Sequence, residues 1–165
     1  MALTKVQGEG ISGISISANN QITKSSQPAF FAHGTTSAWS ENQSAGTVLV
    51  LDATKYNIGS HYNTSNYRFT APISGVYQFN ASSYLQQANN TGGITIAVNG
   101  TIFNHTSTGY PLVQFYSHNA SSPDNAGGFS TCLQLSANDY VTLVCAYNNT
   151  DYYGSMSCLS GYLVG

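Results

Sequence analysis

An all-β fold made of many short strands is what this sequence predicts, and three observations carry the prediction. Runs rich in β-branched and aromatic residues recur at short intervals between clusters of Gly, Asn, Ser and Asp, which is the spacing of a sandwich, jelly roll or barrel. After Gly75 the chain alternates, with Tyr77, Phe79, Ala81, Ser83 and Leu85 on one face and Val76, Gln78, Asn80 and Ser82 on the other, the period of a half-buried strand. Asn99-Gly100 stands between two β-rich runs and is the strongest hairpin signal in the chain. No helical periodicity of useful length competes with these.

Taken in order, residues 1–27 lack aromatics and carry Ile14 and Ile16 alternating with serine. That is strand-like but too short to make a core, and 18–21 reads as a turn. This segment is expected to be a short extended N-terminal arm that docks on something else, with Leu3, Val6, Ile11, Ile14, Ile16 and Ile22 as its anchoring residues. Residues 28–165 form the second unit. Strands are expected at 29–33, 47–51, 67–70, 76–85, 93–98, 101–105, 128–135, 140–147 and 155–164. Pro72 cannot donate to a ladder and marks a corner before the strand that follows Gly75, and 136–139 is a second turn.

Composition narrows the function. The chain has 165 residues, enough for one domain with a real core. Charged residues are only 6%, against about 25% in ordinary soluble domains. With 12 Tyr and 7 Phe it is not a disordered chain. Four Lys plus Arg and a net charge of −2 give no footprint for phosphates or anionic lipid, so neither nucleic acid binding nor membrane insertion is expected. A nearly uncharged surface promotes association, which favours an oligomer or part of a larger assembly. The start has no apolar secretory core, so no secretory route is expected. Cys132, Cys145 and Cys158 then read as buried or half-buried thiols, not a disulfide framework. The eight Asn-x-Ser/Thr triplets read as a product of composition.

The run from Val48 to Phe79 resembles the globular head of the C1q/TNF superfamily. The resemblance lies in Tyr56, Asn57, Gly59, His61 and Tyr62, then Tyr67, Phe69, Pro72, Gly75, Tyr77 and Phe79. Asn99-Gly100, the pair of late strands around Asn138 and Asp139, and the ending Ser160-Gly161-Tyr162 extend it over residues 28–165. It implies a ten-strand C1q/TNF-like jelly-roll sandwich that assembles as a tight homotrimer. Tyr77, Phe79, Leu133, Leu135, Leu143, Tyr162 and Leu163 are the candidates for core or subunit interface. No collagen-like Gly-X-Y stalk is present. The arm, with Leu3, Val6 and the lead-in Gln27-Pro28, resembles the N-termini of small structural proteins of tailed bacteriophages.

Catalysis is not expected. The six acidic residues form no local pair of the glycosidase kind. His33, His61, His105 and His118 fall at no metal-ligand or nucleophile spacing. No cofactor is expected, and isolated Asp residues do not establish a calcium site of the kind some family members have. A recognition surface is suggested by 146–154, where tyrosine and asparagine alternate. Tyr110, Tyr116, His118, Tyr147, Asn148, Asn149, Tyr152 and Tyr153 are the candidates for a glycan- or protein-binding rim. The expectation is therefore a non-enzymatic homotrimer on a virion surface, assembled in the host cytoplasm. It would act as a capsid decoration or cement protein, held to the major capsid protein or to tail proteins by the arm with the head outward. The alternative is a tail-fibre or receptor-binding tip for host-surface glycan or protein, with a secreted C1q-like lectin as a third class.

Overall fold

Alternating apolar residues have one stable use in a chain this rich in β-formers, which is to line the space between two sheets. The computed structural model describes residues 14–16, 22–24, 26–87, 92–104, 109–117 and 124–165. Of the expected anchoring residues, Leu3, Val6 and Ile11 lie outside these, as do His105 and His118. The first two strands, β1 (Ile14–Ile16) and β2 (Ile22–Lys24), form a separate antiparallel hairpin, with Ile16 opposite Ile22 and Ile14 opposite Lys24.

The sandwich follows. Its strands are β3 (Ala29–His33), β4 (Trp39–Gln43), β5 (Ala53–Ile58), β6 (Tyr62–Asn63), β7 (Arg68–Thr70), β8 (Gly75–Gln87) and β9 (Gly92–Val98). They continue with β10 (Thr101–Ile102), β11 (Gln114–Ser117), β12 (Asp124–Leu135), β13 (Tyr140–Cys145), β14 (Thr150–Tyr153) and β15 (Cys158–Leu163). One sheet orders β5-β3-β15-β8-β12 and the other β6-β7-β13-β9-β11. These ten strands make two five-stranded antiparallel layers, the jelly-roll arrangement expected. Three short strands extend the layers. β10 hairpins onto β9 through Asn99-Gly100, and β14 carries β4 onto the far half of β8, beyond the reach of β15.

Several expected strands differ from those observed. The run 47–51 makes only a bridge from Val48 to Val144, although Leu49 N still donates to Leu143 O (2.9 Å), and Leu49 and Leu51 reach the core. The last strand begins at Cys158 because Gly154–Met156 form a 3-10 turn. β4, β5 and β14 were not expected at all.

The core is an aromatic stack from distant parts of the chain. Phe30 lies flat against Phe69 (4.9 Å between ring centres) and Tyr62 (5.0 Å), while Phe79 and Tyr77 meet Phe69 edge-on (5.7 and 5.5 Å). Such pairs add to the burial of the rings themselves. Gly161 makes this possible: a Cβ there would stand 2.8 Å from the Phe79 ring. The two ends of the sandwich meet. Leu163 N donates to Pro28 O (3.0 Å), the Gln27 amide donates to Leu163 O, and Val76 N donates to Gly165 O (2.7 Å).

Candidate functional site

Two groups of aromatic residues meet outside the core. The first lies on the six-stranded sheet. Phe115 pairs with Ile94 and joins the core, so its neighbour Tyr116 faces outward, opposite Gly93. Gly93 has no side chain, and the Tyr147 ring lies over it, 3.1 Å from where a Cβ would be. Tyr147 and Tyr116 meet edge-on at 5.3 Å, and the Tyr147 hydroxyl donates to Gln114 Oε1 (2.6 Å). Burial raises the Tyr147 phenol above its ordinary range; the Gln114 bond opposes this, and the nearby Tyr116 and Tyr110 reinforce it. Tyr110 is 62% exposed and Tyr116 42%.

The other expected rim residues are not all here. Asn148 Oδ1 accepts from Ala45 N (2.9 Å), and Asn149 holds a left-handed turn (φ 57°). Tyr152, expected at the rim, belongs to the core: it is 2% exposed, opposite Leu85, with its hydroxyl accepting from Val50 N (3.2 Å). The reason is that 150–153 is a strand, and alternation sends Tyr152 inward and Tyr153 outward.

Tyr153 thus belongs to a second group, on the outer face of the seven-stranded sheet. It meets Trp39 at 5.2 Å and Tyr84 at 6.5 Å, and Trp39 meets Tyr84 at 5.4 Å. The Tyr84 hydroxyl donates to Asp124 Oδ2 (3.1 Å). Sequence reading missed this group, since Trp39 sits in a polar stretch and its partners come from distant strands.

The candidates for core or interface separate cleanly. Tyr77, Phe79, Leu133, Leu135 and Leu143 are buried in the single chain and Leu163 packs against them, whereas Tyr162 is 47% exposed. Of the thiols, Cys145 is buried and pushed up to about 12, first by burial and then by the charge of Asp151. Cys132, expected buried or half-buried, is exposed on the outer face of β12 and donates to Gln78 Oε1 (2.9 Å).

An open cleft of about 590 Å³ is lined by Phe31, His33, Lys55, Met156 and Cys158. His33 Nδ1 donates to Gly34 O (2.9 Å), and Cys158 Sγ lies 3.1 Å from Ser82 Oγ. Among the described residues no three His, Cys, Asp or Glu side chains converge as a metal site would need, and no helix is long and apolar enough to cross a membrane.

Comparison with known proteins agrees with the fold. No curated protein sequence matches the chain. Among solved structures it is similar to the globular domain of zebrafish complement 1qA (15% identity, TM-score 0.58, 84% of this chain and 98% of that one). It is also similar to Eiger TNF from S. frugiperda (16%, 0.62, 84% and 93%) and to murine APRIL (11%, 0.58, 84% and 99%). At these identities the likeness is one of fold. Proteins with such domains are typically non-enzymatic, ligand-binding or structural, and often trimeric. The C1q domain model matches residues 29–164, and the chain belongs to the C1q domain family.

Proposed function

We propose that this protein is a homotrimeric, non-enzymatic structural protein of a virion surface, most simply a capsid decoration or cement protein of a tailed bacteriophage. Residues 1–27 are its anchoring arm and the C1q-type head projects outward. The observation that carries the trimer is a pair of unlike apolar patches. Tyr56, Ile58, Val76 and Tyr162 are exposed on the outer face of the seven-stranded sheet, and Phe103, Tyr110, Leu112 and Tyr116 are exposed around β10 and β11. Patches on different flanks that complement each other make a heterologous contact, which closes into a ring when the rotation allows. β12 adds to this: it is 12 residues long, pairs among the described residues only with β8, and carries no charge beyond Asp124. Uncovered edges of that kind invite pairing.

The virion reading rests on the arm. Among the described residues its hairpin pairs only with itself, and a two-stranded hairpin alone is marginal in water. Three arms on one trimer bind a repeating surface with an avidity that no single arm supplies. Deleting residues 1–27 is expected to leave a trimer that no longer joins particles, read by co-sedimentation with purified virions. Normal incorporation of the truncated protein would sink the anchoring role.

The Tyr110–Tyr116–Tyr147 group favours a second reading, a tail-fibre or receptor-binding tip. Purified head then blocks adsorption of particles to host cells. A decoration protein leaves adsorption unchanged, and its position on the particle by cryo-EM separates the two.

A further inference from the structure

We infer that the end of the seven-stranded sheet farthest from Pro28 and Leu163 binds a neutral saccharide on the platform formed by Trp39, Tyr84 and Tyr153. This goes beyond the assembly role and stands on the geometry of one chain, so it survives or fails independently of the trimer and of the virion.

The outer face of this sheet is graded along β8. Near its start lie Val76 and Gln78, the latter opposite Tyr162, next to the ends of the sandwich. Six residues beyond Gln78 stands Tyr84, about 20 Å further along at strand rise. Here β14 has replaced β15 as the neighbour of β8 and brings Tyr153, with Trp39 supplied by β4. Rings from three strands therefore meet on one face, within 5.2–6.5 Å of each other. Because the rings fill the space between one another, they form a surface and not a cage around a cation.

The next row of the same face is polar. Register places Asp124 and Asp151 on either side of Gln86. Asp151 is committed, since it accepts from Asn42 N (2.5 Å) and holds β4 in place. Asp124 is only half committed: Oδ2 accepts from Tyr84, while Oδ1 is buried and has no donor among the described residues. A buried acceptor without a donor costs free energy and calls for a partner. Aromatic faces beside a carboxylate and an amide are complementary to a pyranose, which presents C–H groups on its flat side and hydroxyl donors on its rim. Convergent polar groups on an apolar surface are the usual make-up of such sites. The charge of the ligand follows as well. Arg68 lies over the Tyr140 ring (4.1 Å) and Lys55 lines the cleft with Phe31, so neither is on this platform. Among the described side chains no cation stands there to meet an acidic sugar, which favours a neutral one.

The test uses the chain's one tryptophan, Trp39, as its own reporter. Full-length protein is titrated with maltose, lactose and chitobiose while Trp fluorescence is followed. A saturable change with at least one of them, at a Kd of about 1 mM, is expected. Tyr153→Ala and the near-isosteric Asp124→Asn should each weaken it at least about tenfold, and Tyr116→Ala on the other sheet should not. No saturable change with any of the three sugars overturns the proposal. So does a titration that Asp124→Asn leaves unchanged in a variant with parental circular dichroism, or one that Tyr116→Ala abolishes.

Discussion

Gly161 shows how tightly single residues are specified. The missing side chain is the space that the Phe79 ring occupies. Gly161→Ala is therefore expected to cost about 1–3 kcal/mol through overpacking, read as a lower midpoint in urea with an unchanged slope. The cysteines give a second residue-scale prediction. Cys132 is exposed, whereas Cys145 is buried and its thiol is pushed up to about 12. A thiolate-specific disulfide reagent should label Cys132 in the native protein and Cys145 only after unfolding, because the thiolate is the reactive form. Labelling of Cys145 at the native rate of Cys132 would contradict the packing. At this scale the sequence was legible where alternation was regular, as at Tyr77 and Phe79. It was not legible at Tyr152 and Tyr153, where two adjacent tyrosines look alike until the strand that separates them is known.

Among the elements, the β9–β10 hairpin and the turn before β13 lock each other. Asn99 and Gly100 both take left-handed backbone angles (φ 52° and 79°), as the favoured two-residue hairpin requires. The Asn99 amide then donates to Asp139 Oδ1 (2.8 Å) and accepts from Tyr140 N (2.9 Å). The Asn99 bond, followed by that from Ser136 N, holds the Asp139 carboxyl below its usual value of 3.8. Asp52 is lowered in the same direction, first by the Thr35 hydroxyl. A carboxylate depressed in the folded state contributes stability above the unfolded pKa and loses it as pH falls through the folded one. Thermal stability should then decline below about pH 4, and Asp139→Asn with Asp52→Asn should flatten that decline. An unchanged pH profile in the double variant would assign the decline elsewhere. The hairpin was readable from two letters because its backbone demands them. β4 and β5 were not, since Trp39–Gln43 and Ala53–Ile58 are half-exposed and polar. Their strand state is imposed by the ladders of β14 and β3.

For the whole molecule, the scarcity of charge sets the character of association. An interface built on Tyr56, Ile58, Val76 and Tyr162 has little that salt can screen. Sedimentation velocity is expected to give one trimeric species from low to high NaCl. Tyr162→Arg should shift it to monomer with circular dichroism intact, since Tyr162 is on the surface of the single chain. Dissociation of the parent protein by salt alone would rule out an apolar contact. The expectation of an oligomer came from composition, because six charges in a hundred residues cannot clothe a free surface. The Trp39 platform was not visible, because it exists only once β14 replaces β15 beside β8.

The meeting of Pro28 with Leu163 has a mechanical side. A pull on the residues before Pro28 enters the sandwich along the axis of β3, which is flanked by β15 on one side and β5 on the other. Such a load shears two antiparallel ladders at once instead of peeling hydrogen bonds singly from an edge. The sheet thus receives tension on a strand bracketed from both sides, and the aromatic stack beneath Phe30 must slide before the strand can leave.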